Sequence, residues 1–298
     1  MKVLPRIGTW LVAGLMASPA LAQSSAAPVR LEPRTEWVLD YSQERCSLHS
    51  GFGDGENSLN LRIDWFGPGP YYRFLVVGQA VPKLAGATST LRYRFTADTE
   101  HREGMAINGT FLELPALSFT GKFLPYEVEL SREEDSVEHG KPSGTPIAPQ
   151  PEFEKQIRTL ELRFADRSEV VLALGSMAKP LEAMRGCMDN LVTVWGLDPA
   201  VQNSLTRRAV PKRSTIRRVQ GWFPFTELAR GTNAFVPVRV MVDSSGRVTD
   251  CIVQSEGVDE SFTNAVCRGL ARGYEPALDA NGRPIASVYA NSVIYLSE

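Results

Sequence analysis

Four cysteines are the residues whose chemistry this sequence constrains most directly. They are Cys46, Cys187, Cys251 and Cys267. Thiols serve in proteins as metal ligands, as redox catalysts or as the halves of disulfide bonds. No two of them form a C-x-x-C pair, which disfavours redox catalysis. Their even number favours two disulfides in an exported chain, and the sequence alone allows three pairings.

The other groups that could do chemistry form no complete catalytic or metal-binding pattern. The three histidines, His49, His101 and His139, are not at the spacings of zinc ligands. The sequence has neither a G-x-S-x-G nucleophile motif nor a phosphate-binding loop. The stretch GDGENS lacks a full calcium-loop pattern and is interpreted as a turn. We therefore predict no catalytic residue, no metal and no cofactor, with an exported enzyme whose site lies within 34–197 as an alternative.

The first 22 residues have the pattern of a secretory signal peptide. Lys2 and Arg6 precede a short apolar run, and Ala20-Leu21-Ala22 is a small-x-small cleavage site. The apolar run is shorter than the roughly 20 residues that span a membrane. We expect export, cleavage near Ala22 and a disordered mature amino terminus at 23–33. The alternative is an uncleaved segment that anchors the chain in the inner membrane, on its periplasmic side.

The composition indicates a two-domain globular protein that does not bind nucleic acid. The chain has 298 residues, a hydrophobic fraction of 43% and a formal net charge of −2. Residues 34–206 are predicted to form a β-rich domain, because apolar residues alternate with period two in LNLRIDW, LRYRF and LELRF. Asn108-Gly109 is interpreted as a turn between strands, and 131–154 as a long exposed loop.

The end of this β-rich domain changes to a helical pattern. Apolar residues at three- and four-residue spacing predict an amphipathic helix from Leu181 to Trp195. Asp198-Pro199 has the composition of a helix start, with the aspartate as N-cap. Cys187 lies on the apolar face of the longer helix. We favour a bridge from it to Cys46, which would pin the helix to the sheet.

The last part of the chain is predicted to be a small α+β domain at 219–298, joined by a linker. Residues 207–218, RRAVPKRSTIRR, are basic and have little apolar content, so we interpret them as that linker. A valine strand, a hairpin, a helix and a final strand follow. Pro237 removes a backbone donor, so its strand is expected at an edge or bulged. A helix packed on the second strand would bring Cys251 and Cys267 within disulfide reach.

The segment from Gly221 to the end resembles the carboxyl-terminal domain of the TonB energy transducers. The matching features are the valine strand, the D-x-x-G-R-V hairpin, Phe262 at the helix start, Tyr274-Glu275-Pro276 and Gly282-Arg283-Pro284. The resemblance implies a two-layer α+β domain in the periplasm of a Gram-negative cell envelope. It also implies that the domain binds the amino-terminal segment of an outer-membrane receptor as an added β-strand.

The resemblance places the partner-binding residues in the last strand and in the turn before the first helix of the domain. They are Phe223, Pro224, Val288, Tyr289, Ala290, Asn291 and Val293. Pairing of two copies through the same edge would give a homodimer. An anchored transducer would also contact inner-membrane motor proteins, but it needs a long spacer that the short linker does not supply. We therefore expect a periplasmic binding protein linked to transmembrane transport, with the anchored transducer as the second hypothesis.

Overall fold

The computed structural model describes residues 28–296 apart from 98, 125–148 and 256. The predicted signal peptide and most of the predicted loop at 131–154 lie outside the described residues. The last residues of that loop form helix α1 (Pro151–Glu154), in which Glu154 is buried. The described chain is α+β, with a large curled sheet followed by a smaller mixed region. Its helices include none long and apolar enough to cross a membrane.

The first region is built on one sheet that curls into half a barrel. Its strands are β1 (Val29–Leu31), β2 (Val38–Tyr41), β3 (Cys46–Phe52), β4 (Leu59–Trp65), β5 (Tyr72–Gly78), β6 (Thr88–Arg94), β7 (Arg102–Phe111), β8 (Leu114–Gly121), β9 (Thr159–Arg163) and β10 (Glu169–Ala173). Within the described residues their order is β1-β10-β9-β6-β7-β8-β5-β4-β3-β2. Neighbouring strands are antiparallel, except for the parallel pair of β1 and β10. The sheet includes pairings between strands that are distant in the sequence, such as β6 with β9.

Alternating apolar residues fill the core of this region, as the period-two pattern predicts. In β4, Leu59, Leu61 and Ile63 are at most 1% exposed. Helix α2 (Ala178–Val194) covers the sheet with the apolar face that its spacing predicts. The buried residues of that face are Leu181, Met184, Cys187, Met188, Leu191 and Val192. The disulfide between Cys46 and Cys187 joins α2 to β3, which is the pairing that the sequence favours.

Two local predictions for the first region differ from the structure. Asn108 and Gly109 lie inside β7, and the hairpin turns at Leu112 and Glu113, which have φ values of 49° and 66°. The Asn108 side chain is used within the sheet, where its Oδ1 accepts a hydrogen bond from Ser89. The described part of 23–33, predicted as disordered, contains β1, which pairs with β10 and buries Leu31.

The second region combines short elements with a small sheet. Its short elements are α3 (Pro199–Asn203), β11 (Val210–Pro211), α4 (Arg213–Gly221), α5 (Phe225–Ala229), β14 (Tyr274–Glu275), β15 (Ala277–Leu278) and β16 (Pro284–Ile285). As predicted, Asp198 caps α3, accepting a hydrogen bond from Ala200 N–H at 2.8 Å. The sheet consists of β12 (Ala234–Val242), β13 (Val248–Val253) and β17 (Ser287–Tyr295). Its described strands are antiparallel and follow the order β13-β12-β17.

Helix α6 (Glu260–Leu270) covers one face of this sheet. The valines of β12 form the buried layer beneath it, as the alternation predicts; they are Val236, Val238, Val240 and Val242. The disulfide between Cys251 and Cys267 joins β13 to α6 and closes a loop with a sequence separation of 16. In the chain-entropy model, a loop of this length stabilises the fold by about 3 kcal/mol.

Strand β12 is central rather than at an edge, and the register shift in its pairing with β13 lies at Met241/Val242 rather than at Pro237, so neither alternative predicted for Pro237 is found. Pairing with β13 begins at Val238 opposite Val253, one residue after the proline. The Pro237 carbonyl accepts the N–H of Gln254, the residue after the end of β13, at 2.9 Å. The backbone of Pro237 therefore points toward β13 and away from β17. The missing N–H therefore interrupts no pair of the ladder.

Residues 207–218 are packed, in contrast to the solvated linker that their charge predicts. They contain β11 and most of α4. Arg207 donates to the carbonyl of Pro276 at 2.9 Å, and Arg218 donates to that of Gly269 at 3.1 Å. These basic side chains therefore satisfy backbone carbonyls of the second region, a use that a run of like charges does not reveal.

The first region covers the other face of the small sheet. Arg239, with a side chain 7% exposed, donates to both carboxylate oxygens of Glu44 at 2.9 and 3.0 Å. Gln254 Nε2 donates to the carbonyls of Glu44 at 2.8 Å and Phe66 at 2.5 Å. The ring of Phe66 lies 6.2 Å from that of Phe235. Both faces of the sheet are thus covered, and its strand edges are what remains to meet a partner.

Candidate functional site

Strand β17 is an edge strand, with β12 as its pairing partner within the described chain. The Pro237 carbonyl points toward β13, and successive residues of a strand direct their backbone groups to opposite sides. The valines of β12 therefore bond toward β17, with Val238 opposite Asn291. The residues between these bonded positions of β17 direct N–H and C=O away from the sheet. They are Val288, Ala290, Ser292 and Ile294, and their backbone groups are called the β17 rim below.

The side chain of Asn291 already binds one N–H of the β17 rim. Its Oδ1 accepts the N–H of Ser292 at 2.8 Å, while its Nδ2 donates to Tyr289 Oη at 2.7 Å. The opposite edge of the sheet has a similar arrangement, where Asp250 Oδ1 accepts the N–H of Cys251 at 2.9 Å. A polar side chain held against an edge N–H reduces uncontrolled pairing of the edge. A partner strand would have to displace Asn291 from Ser292.

The predicted partner-binding residues of β17 divide between its two faces. Val288 and Ala290 face the first region: Val288 is 4% exposed, and a Cβ added to Gly67 would overlap the Ala290 side chain. Tyr289 and Val293 pack against the core under α6. Of the five predicted strand residues, Asn291 is the exposed one. The rim thus offers mainly backbone groups, with one polar side chain between them.

Phe223 and Pro224 lie near the carboxyl end of β17. The Phe223 ring is 5.6 Å from the ring of Tyr295 and 5.8 Å from that of Phe225. Phe225 is 74% exposed and lies beside the half-buried Phe223. The structure therefore brings the predicted turn to one end of the β17 rim and adds Phe225 to it. Phe225 directly follows Pro224 at the start of a short helix, and this position in the sequence could have indicated its role.

Burial keeps the tyrosines around β17 neutral, and of their phenol oxygens that of Tyr289 accepts a hydrogen bond, from Asn291. Burial raises the pKa of Tyr289, although the hydrogen bond from Asn291 opposes that shift. Burial also raises the pKa of Tyr274, whose ring lies 5.5 Å from the ring of Tyr289. Burial raises the pKa of Tyr295 to about 12. At neutral pH these phenols therefore keep their protons.

A second cluster, on the first region, has the composition of a metal site. His101, Glu161 and Glu169 place ligand atoms within 4.8 Å of one another. The sequence did not single them out, because the two glutamates lie on neighbouring strands β9 and β10. Each glutamate already pairs with an arginine, Glu161 with Arg94 at 2.6 Å and Glu169 with Arg163 at 2.9 Å. Two guanidinium groups at these distances repel a cation, and we assign no metal here.

Two further findings bear on the identity of the chain. All four cysteines are in disulfides, which is typical of proteins outside the cytoplasm. The chain was compared with protein families, curated proteins and solved structures, and none of these comparisons gave a match.

Proposed function

We propose that this protein is a periplasmic binding protein that holds an extended segment of an envelope partner as an added strand on β17. One observation carries the proposal: the β17 rim directs backbone donors and acceptors away from β12, and no other strand of the described chain pairs with them. An incoming strand would complete those hydrogen bonds, with the main chain supplying affinity and side chains supplying selectivity.

The affinity of such a partner follows from the β17 rim. Each backbone hydrogen bond contributes about 0.5–1.5 kcal/mol net, so a segment paired along the rim gains several kcal/mol. Ser292 contributes less than its neighbours, because the partner carbonyl must replace Asn291 Oδ1. Ordering an extended segment opposes this gain. We therefore expect micromolar rather than nanomolar affinity.

Selectivity would come from two exposed side chains that lie beside the β17 rim. Asn291 is exposed midway along β17 and can hydrogen-bond to a polar side chain of the partner. Phe225 is exposed beside Phe223 at the carboxyl end of the strand. A segment with a polar residue beside Asn291 and an apolar residue beside Phe225 would match both groups.

The resemblance of 221–298 to TonB-type domains supports the same binding mode and suggests the partner class. We extend the proposal to a two-layer TonB-like domain, to the amino-terminal segment of an outer-membrane receptor as partner, and to a role linked to transmembrane transport. The two disulfides support export, and cleavage of the signal peptide near Ala22 is part of the same proposal.

A photocrosslinking amino acid at Asn291, introduced in the cells that make the protein, tests this function. The matched control carries the crosslinker at Thr249, an exposed residue of β13 on the opposite edge of the same sheet. We expect capture of the amino-terminal segment of an outer-membrane protein from position 291 and not from position 249. Equal capture from both positions would refute strand addition at β17.

Ser292→Pro provides the second half of the test. Ser292 lies opposite Pro237 and directs its N–H away from β12, so proline removes one rim donor without removing a bond to β12. Circular dichroism is expected to show an unchanged fold, while capture from position 291 falls. Unchanged capture would contradict the proposal. Capture of the protein's own copies alone would replace the receptor by a homodimer formed through the same edge.

A further inference from the structure

A cleft of about 550 Å³ lies where the two regions meet, away from the residues of the β17 rim. It is bounded by the turn between β4 and β5, by the carboxyl-terminal half of α2 and by the segment from Asn203 to Arg208. Its volume falls within the range of sites that bind small organic ligands. The proposed function makes no use of this cleft.

One wall of the cleft is aromatic. The rings of Trp65 and Tyr72 are stacked with centroids 5.3 Å apart, and Phe123 meets Tyr72 edge-on at 5.0 Å. Met188 and Leu205 are buried and add aliphatic surface to the lining. A planar apolar group can therefore lie against this wall, since aromatic surfaces favour stacked or edge-on contacts.

Most charged groups of the cleft already have partners in the protein. Arg185 donates to Glu154 at 2.7 Å, and the Glu154 carboxylate is nearly inaccessible. Asp189 Oδ1 accepts a hydrogen bond from Asn203 at 3.1 Å. These pairs leave little unsatisfied capacity for a ligand.

Arg208 is the exception among these groups. Its Nε and Nη1 atoms are buried without a hydrogen-bond acceptor, and no ion pair within the described chain reaches the guanidinium. Burial lowers the pKa of Arg208, because the charged form loses hydration. An arginine nevertheless stays charged in a protein, so the loss of hydration is not relieved by release of a proton. Arg208 is half-buried as a whole and lines the cleft, so an anion held in the cleft can pair with its charge.

We propose that the cleft binds an organic anion whose planar apolar part lies against Trp65 and Tyr72 and whose carboxylate, sulfonate or phosphate group meets Arg208. The combination of an aromatic wall with one unpaired guanidinium selects for both parts of such a molecule. A neutral aromatic compound would leave Arg208 unsatisfied, and an inorganic anion would leave the wall unused. The site is independent of strand addition at β17.

A matched pair of fluorescent probes tests the proposal on the full mature chain. 1-Anilinonaphthalene-8-sulfonate is an aromatic anion, and N-phenyl-1-naphthylamine has the same rings without the sulfonate. Fluorescence titrations measure the Kd of each probe with the wild type and with Arg208→Met. We expect the substitution to weaken binding of the sulfonate by about tenfold to a hundredfold, and binding of the amine by less than about twofold.

Arg92→Met is the matched control variant. Arg92 is an arginine of the first region whose side chain is 56% exposed and paired with Glu103, so its removal should leave both Kd values unchanged. Arg208→Met should also keep or raise Tm without ligand, because it removes a half-buried charge that has no partner within the described chain. The proposal is overturned if both arginine variants bind the sulfonate alike, if the neutral probe loses as much affinity as the sulfonate, or if Arg208→Met lowers Tm.

Discussion

The ion pair between Glu44 and Arg239 holds the first region against the small sheet, and its removal should weaken the whole protein. Glu44→Gln keeps the size of the side chain but removes the charge that compensates the guanidinium. The Arg239 side chain is 7% exposed and lies 4.8 Å from the centre of the Trp195 ring. Because these surroundings keep the guanidinium buried after the substitution, its charge is left without its main partner.

The expected loss can be worked from the contacts of this pair. Removing one partner of a buried ion pair costs about 3–5 kcal/mol. Two features reduce that loss here: Glu44 is 27% exposed, so water screens part of the attraction, and Asp250 lies 3.7 Å from Arg239. We therefore expect Glu44→Gln to lower the free energy of unfolding by about 2 kcal/mol, which lowers Tm by about 3–4 °C for a chain of this length.

Urea denaturation of the oxidised protein measures this loss. Glu103→Gln is the matched control, because it breaks an ion pair of the same length, 2.9 Å, whose side chains are 56% and 58% exposed. That variant should change the free energy of unfolding by less than about 0.5 kcal/mol. A combined Glu44→Gln and Arg239→Met variant should regain part of the loss, since the uncompensated charge is then gone. Equal effects of the Glu44 and Glu103 substitutions would refute this account of the interface.

Two more predictions concern stability. Gly269→Ala in α6 should destabilise by about 1–3 kcal/mol, because its Cβ would lie 2.8 Å from Val219 Cα, whereas Gly186→Ala in α2, where space is open, should stabilise by about 0.5–1 kcal/mol. Thermal unfolding compares the two, and an equal loss at both would contradict the close contact of α4 and α6. Burial lowers the pKa of His101 below its usual 6.5, so the unfolded chain binds that proton more readily and stability should fall as the pH drops through that value. Urea titrations at about pH 7.5 and about pH 5.5 measure the difference in the free energy of unfolding, and His101→Gln should reduce that difference. An unchanged difference in the variant would contradict the role of His101.

Local patterns predicted most of the elements, because alternation and helical spacing depend on near neighbours alone. The apolar face of α2 and the valine layer of β12 are examples. The prediction of a turn at Asn108-Gly109 is wrong, although this dipeptide favours tight turns. Pairing of β7 with β8 continues through both residues, so contacts between strands outweighed a local preference. The order of the strands in the large sheet depends on pairings across long sequence distances, which no local pattern encodes.

The candidate site shows the same limit at the level of single residues. The pattern predicts that the end of the chain is a strand, but not which of its residues direct backbone groups outward. That choice reverses with a shift of one residue in register. The resemblance implies Val293, whose backbone faces β12, but not Ser292 or Ile294, which belong to the β17 rim. Which alternate residues of β17 point outward follows from the direction of the Pro237 carbonyl. Its hydrogen bond to Gln254 is seen only in the structure.

The covered faces of the small sheet restrict how any macromolecular partner can bind it. Helix α6 occupies one face, and the pair of Glu44 and Arg239 closes the other. A partner that docked on the second face would first have to break that pair, so Glu44→Gln would strengthen its binding. A partner strand on the β17 rim touches neither face, so the same substitution would leave its affinity unchanged. The Glu44 variant therefore separates face docking from strand addition, independently of which protein is captured.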